Sequence, residues 1–317
     1  MMRRRAWPAL LLALLLVAGC VSAPATQPAP PKQWGQSKQS GPFAFFVAAD
    51  MRKYAAPEYR GPGYFLTALD AMRTVGPAAF LLVPGDLDPP HWVLADVSAT
   101  LGGDVPVYPV VGNHDTGKAS MAYIRGLNSR GTTLPGVVRK GPPGSEETTY
   151  ALEWGDAHIV VLNQYFDGAS DTASSSDVSD AMFTWLAEDL ASVTKPFVFV
   201  AGHNPAYVFP DMTSGRTRHE GGGLESNPAH RDRFWNLLKE RHVTAYICGH
   251  THNASAKRID GVWQFDAGHA RGKGDTGAPS TFIKITVGDG DARYEYYRAD
   301  PDGLTYTVRL SGSLVKE

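Results

Sequence analysis

The chain has 317 residues, 43% hydrophobic and 20% charged, with 30 basic against 32 acidic side chains and a formal charge of −2. A chain of this length and composition can bury the core of one large domain or two smaller ones, which excludes disorder for its bulk. The near-neutral balance excludes a chain-wide electrostatic grip on nucleic acid, so no nucleic-acid partner is expected, and two cysteines exclude a disulfide scaffold.

Arg3, Arg4 and Arg5 precede an apolar run from Ala6 to Ala18, and Gly19 and Cys20 follow it. A basic start, a short apolar run and small residues at its end describe a secretory signal, too short for the about 20 apolar residues that span a bilayer. Val17-Ala18-Gly19-Cys20 resembles the bacterial lipobox. That resemblance implies a signal peptide over residues 1–19, a lipid on Cys20, and a membrane anchor in the cell envelope, outside the cytoplasm. An ordinary signal with a chance cysteine is the alternative. Residues 20–41 are rich in Pro, Ala, Ser and Gln and read as a flexible tether, leaving residues 42–317 as one domain.

From Phe43 the pattern alternates. Phe43–Ala48, Ala79–Val83 and Val105–Val111 are short apolar runs, and Tyr64–Val75 and Trp92–Leu101 between them carry apolar residues at helical spacing. This is βαβαβ, with functional loops at the strand C-termini. Thr149–Trp154 and His158–Leu162 form a predicted hairpin around Gly155-Asp156. Then come a helix over Met182–Ala191 capped near Ser179 or Asp180, a strand over Phe197–Ala201, a helix over Arg231–Arg241 and a strand over Thr244–Cys248. After Ile259 only strands follow: Val262–Asp266, Thr281–Val287, Ala292–Arg298 and Thr305–Leu310. Two halves of this kind suggest two sheets packed face to face with helices outside. Thr116–Thr148 and Tyr207–Pro228, rich in Gly and Pro, read as long functional loops.

Polar clusters follow the apolar runs: Asp50-Met51-Arg52, Gly85-Asp86, Gly112-Asn113-His114-Asp115, Gly202-His203-Asn204-Pro205 and Gly249-His250-Thr251-His252. Together they offer carboxylates, an amide oxygen and imidazoles, a mixed set that suits Zn, Mn or Fe. Neither G-x-S-x-G nor H-E-x-x-H occurs, which weighs against a serine hydrolase or a zinc protease. Arg216, Arg218, His219, Arg231 and Arg233 form a basic stretch, read either as a solvated face or as a rim that draws in phosphorylated substrates.

These five clusters, in this order, resemble the calcineurin-like metallophosphoesterase family over about Phe43 to His252. The resemblance implies an α/β fold, a four-layer α/β/β/α sandwich of two mixed sheets. It implies two divalent or trivalent transition metal ions (Mn, Zn or Fe) and a phosphorylated small-molecule substrate, a phosphomonoester or phosphodiester hydrolysed by metal-bound hydroxide. Carried over residue by residue, Asp86 bridges the metals, Asn113, His203 and His250 complete the second site, and Asp50 and His252 bind the first. His114 is then the acid that protonates the leaving oxygen, and Asp115 orients it. One position departs from the pattern: where the family's first motif has His, this chain has Arg52, which cannot ligate a metal. Three readings stay open. Arg52 grips the substrate phosphate and leaves a weaker but working first site; Asp88, Tyr54 or His269 fills the gap; or the first site is empty and the protein is mononuclear or catalytically silent. The last admits a rival function, a non-catalytic envelope protein that binds a metal or phosphate ligand.

Overall fold

The computed structural model describes residue 34 and residues 41–52, 63–275 and 277–315. The expected signal peptide, the Cys20 lipidation site, Tyr54 and all of the tether except Trp34 and Gly41 lie outside the described residues.

Strands β1 (Phe43–Val47), β2 (Leu81–Val83) and β3 (Val107–Pro109) run parallel, joined through helices α1 (Gly63–Val75) and α2 (Pro90–Leu101). Successive strand residues point to opposite faces. Phe45, Val47 and Leu82 therefore enter the inter-sheet core, while Phe46, Leu81 and Val83 pack with Phe65, Leu69, Val93 and Leu94 of the helices. A strand buried on both faces has no polar alternation, which is why these segments read as unbroken apolar runs.

After β3 come α3 (Lys118–Leu127), β4 (Val137–Lys140), β5 (Tyr150–Trp154), β6 (Ala157–Val161), α4 (Asp180–Ser192) and β7 (Phe197–Ala201). The chain continues with α5 (Pro228–Glu240), β8 (Ala245–Cys248), β9 (Ala254–Ile259) and β10 (Val262–Ala267). These strands form the second sheet in the order β4-β5-β6-β7-β8-β10-β9, with β6, β7, β8 and β10 parallel. Met182, Leu186 and Leu190 of α4 and Phe234, Trp235 and Leu238 of α5 cover its outer face against Val160, Val198, Val200 and Tyr246. Finally β11 (Thr281–Gly288), β12 (Asp291–Ala299) and β13 (Tyr306–Ser313) return antiparallel to the first sheet, giving β13-β12-β11-β1-β2-β3.

The layers are those expected, helices outside two mixed sheets. Phe45 links them at the centre, stacked on Phe80 at 4.7 Å and edge-on to Phe199 of the other sheet at 5.6 Å. Ser179 caps α4 by accepting from the Met182 N–H. One expectation needs correction, and one element was not expected. Thr116–Thr148 is not one long loop: Met121, Ile124 and Leu127 bury one face of α3, and β4 pairs with β5. Residues 254–259 form β9, whose Lys257 and Arg258 belong to an edge strand and so carry no apolar signature.

Candidate metal centre

All five clusters lie just past the C-terminal ends of parallel strands: Asp50 after β1, Asp86 after β2, Asn113 after β3, His203 after β7 and His250 after β8. Strand direction alone thus brings distant sequence segments to one edge of both sheets. Four of the residues adopt left-handed backbone, Asp50 (φ 55), Asp86 (φ 59), His250 (φ 70) and His252 (φ 59). This conformation costs a side-chain-bearing residue about 1–2 kcal/mol, and it persists only where the surroundings hold it. Here Asp50 N–H donates to the Gly85 carbonyl at 3.1 Å and Arg52 N–H to that of Asp86 at 3.2 Å. Close approach demands glycine at two neighbours. A Cβ on Gly85 would fall on His203 Nδ1, and one on Gly249 on Asp50 Oδ2.

The donors form two groups that share Asp86. Asp50, Asp86 and His252 each bring a ligand atom within 4.8 Å of the others. His252 Nε2 stands 3.4 Å from Asp50 Oδ1, which is buried and has no hydrogen-bond partner among the described residues. On the other side, His203 Nε2 lies 3.0 Å from Asn113 Oδ1 and 3.5 Å from Asp86 Oδ1, and His250 Nδ1 lies 3.2 Å from both Asn113 Oδ1 and His203 Nε2. His203 Nδ1 donates to the Pro84 carbonyl at 2.8 Å, leaving its Nε2 lone pair facing this group. Donors bound at about 2.0–2.2 Å to one ion sit about 3 Å from each other, the spacing found here. The residues present fit metal ions on both counts, an orphaned buried carboxylate oxygen and converging lone pairs.

The electrostatics agree. Burial raises the Asp50 carboxyl, but His252, His203 and Arg271 outweigh it and hold it below the usual carboxylate range. Burial, then the neighbouring His203, pushes His250 down to about 2, so its ring is neutral, the form that ligates.

His114 lies beside the groups, its Nε2 3.9 Å from Asp86 Oδ2 and its N–H donating to Asp86 Oδ1 at 3.0 Å. Asp115 does not orient it. Its Oδ2 instead accepts from the N–H groups of Asp86 at 2.8 Å, Gly112 at 2.9 Å and Leu87 at 3.3 Å, clamping the loop that carries Asp86. Arg52 lines the same cavity, of about 430 Å3, and pairs with Asp88 at 3.8 Å. His269 is no substitute ligand, because its Nε2 faces the Ala278 carbonyl at 2.9 Å and its Nδ1 accepts from Arg271 N–H.

Three other arginines, Arg216, Arg218 and Arg271, line this cavity. Arg216, from the segment after β7, donates to Asn253 Oδ1, Asp275 Oδ1 and the His252 carbonyl and so pins that segment against the site. His219 from the same segment stacks on His250, ring centres 4.5 Å apart. Arg231 and Arg233, read with them as a basic rim, instead lie over Tyr207 and Phe183. Sequence reasoning missed Arg271 and Asp275, which sit outside every motif. Asp275 Oδ2 lies 2.8 Å from His252 Nδ1 and sets that ring's orientation.

The chain matches the family model described as calcineurin-like phosphoesterase over residues 43–254. It is 24% identical over 201 residues to tartrate-resistant acid phosphatase type 5 of the rabbit, Oryctolagus cuniculus, covering 61% of this chain and 56% of that protein. Its fold is similar to a purple acid phosphatase from yellow lupin (Lupinus luteus) seeds, with a TM-score of 0.56 at 15% identity, covering 88% of this chain and 54% of that one. It is also similar to the structure of PhoD, with a TM-score of 0.59 at 14% identity, covering 90% and 71%. The chain thus spans about half the length of the rabbit and lupin proteins. Membership implies a dinuclear metal centre, and the two donor groups sharing Asp86 provide for one. With the motifs gathered at one sheet edge and the model matched across both sheets, the chain belongs to the calcineurin-like phosphoesterase family.

Proposed function

We propose that the chain is a metal-dependent hydrolase of phosphomonoesters or phosphodiesters, acting outside the cytoplasm and held to the envelope by a lipid on Cys20. The observation that carries the catalytic part is the convergence of Asp50, Asp86, Asn113, His203, His250 and His252 into two donor groups sharing Asp86, with His114 beside them. Mn, Zn or Fe ions held there would supply Lewis acidity and a nucleophile from water near neutral pH. The side chains supply the rest. His114 holds a proton within reach of the leaving oxygen, and Arg52 and Arg218 present cationic groups to the phosphate entering the cavity. Asp115 keeps the Asp86 loop in place. Envelope anchoring is supported by the basic, apolar and small-residue order that ends at Cys20.

A second reading, a non-catalytic protein that binds a metal or phosphate ligand, is favoured by one observation, Arg52 at a position where the family has His. One experiment separates the two. The full chain is loaded with Mn, Zn or Fe and offered phosphomonoesters and phosphodiesters, with Asp86→Ala in parallel. Phosphate release by the wild type and loss of both metal and turnover in Asp86→Ala are expected. Tight phosphate binding without turnover under every metal would establish the second reading instead.

A further inference from the structure

We propose that Arg271 makes the first metal position the weaker and more exchangeable of the two, by setting a guanidinium against the His252 nitrogen that the first ion must use. The inference rests on the metal-centre reading above and concerns how its two halves differ.

Arg271 follows β10 and is 4% exposed. Its Nε donates to the Asp50 carbonyl at 2.5 Å, and its Nη2 stands 3.4 Å from His252 Nε2. Metal ligation through His252 Nε2 takes the tautomer with the proton on Nδ1, where Asp275 Oδ2 at 2.8 Å accepts it. Arg218 Nη1 stands beside the same Nδ1 and pairs with the same carboxylate at 3.7 Å. The Nε2 lone pair therefore faces two things, Arg271 Nη2 and the space beside Asp50 Oδ1. An ion in the first position must take this lone pair from Arg271.

The guanidinium cannot give way by losing its proton, as a lysine or histidine could. Its Nε bond to the Asp50 carbonyl ties it to a residue that supplies another of the ion's donors. The second position differs. Asn113, His203 and His250 bring their donor atoms within 3.2 Å of one another there, and the proton of His203 is held on its other nitrogen by the Pro84 carbonyl. Donor number acts in the same direction, because Arg52 leaves the first position with Asp50, Asp86 and His252 against four donors at the second. Fewer donors and an added fixed charge at one position, neither at the other, make two unequal affinities. In metal-poor surroundings the first ion leaves while the second stays.

The test is a calorimetric titration of the chelator-stripped full chain with Mn2+ or Zn2+. Two classes are expected, apart by at least about tenfold in affinity. Arg271→Gln, which keeps a donor for the Asp50 carbonyl, and Arg271→Met should tighten the weaker class by about tenfold and leave the tighter class in place, with native circular dichroism. Should neither variant fold, the wild type still decides: in arginine-15N-labelled protein titrated with Zn2+, the Arg271 Nε–H signal should move with the weaker equivalent and not the tighter. Two ions of equal affinity, a weaker class unchanged in folded Arg271 variants, or a signal that moves with the tighter equivalent would overturn the inference and leave the phosphoesterase reading standing. No binding of either ion would overturn both.

Discussion

The His114 ring stands 3.9 Å from the Asp86 carboxylate and reaches the cavity, yet none of its atoms joins either donor group. Its removal should therefore separate chemistry from metal binding. For His114→Ala we expect kcat on esters with poor leaving groups to fall by about 10²–10⁴-fold, with metal content unchanged; lost metal at unchanged kcat would contradict the assignment. Burial, with Asp86 opposing it, holds the His114 pKa below the ordinary imidazole value. The acid form declines as pH rises through that lowered pKa, so kcat on such esters should decline too, and the alanine variant should lose this limb. Arg52 is a separate case. Its guanidinium lines the cavity with, among the described residues, the distant Asp88 carboxylate as ion-pair partner, so Arg52→Ala should raise KM by about tenfold, the worth of a charged hydrogen bond, at nearly constant kcat. The donors around Asp86 were legible because each follows an apolar run. Arg271 and Asp275 were not, since nothing in Ala270-Arg271-Gly272-Lys273-Gly274-Asp275 marks them. They come near Asp50 because β11 lays the returning chain beside β1, as the Ala270 N–H bond to the Ala49 carbonyl records.

The strand-end loops hold their shape through backbone contacts that leave no room for a side chain. Gly85 has φ 88, and an added methyl would fall on the His203 ring. Gly85→Ala should cost about 1–3 kcal/mol and weaken metal binding by displacing His203. Gly102, with φ 108 and nothing within 4 Å of an added Cβ, is the control: Gly102→Ala should lower the melting temperature without touching metal affinity. Equal loss of metal affinity in both would show that strain, not displacement of His203, is the cause. The central strands were plain in the sequence because burial on both faces makes their apolar runs continuous. α3 was hidden, since Gly126 lies in it and Gly131, Pro135 and Gly136 follow closely, so the span reads as loop although Met121, Ile124 and Leu127 carry helical spacing. β9 was hidden for the opposite reason, a polar edge strand that needs little apolar content.

At the scale of the molecule, the donors come from both sheets: Asp50, Asp86 and Asn113 follow strands of the first, His203, His250 and His252 strands of the second. Metal held by these donors would therefore tie together the ends of two sheets otherwise held by the core that Phe45, Phe80 and Phe199 share. Chelation should lower the melting temperature, since a ligand at a hundred times its Kd adds about 2.7 kcal/mol to the folded state. The effect should vanish in Asp86→Ala; an unchanged melting temperature in the wild type would mean that no such tie exists. The layer order was legible from the alternation of runs, whereas the return of β11–β13 to the first sheet was not, because sequence order does not state which sheet a late strand joins. The most direct measurement is phosphoester hydrolysis followed as metal is returned to the chelated full chain, with bound metal counted by elemental analysis at each point. Turnover absent without metal and rising with its occupancy is the expected result. Full turnover in the stripped protein, or full occupancy with no turnover on any phosphoester, would contradict it.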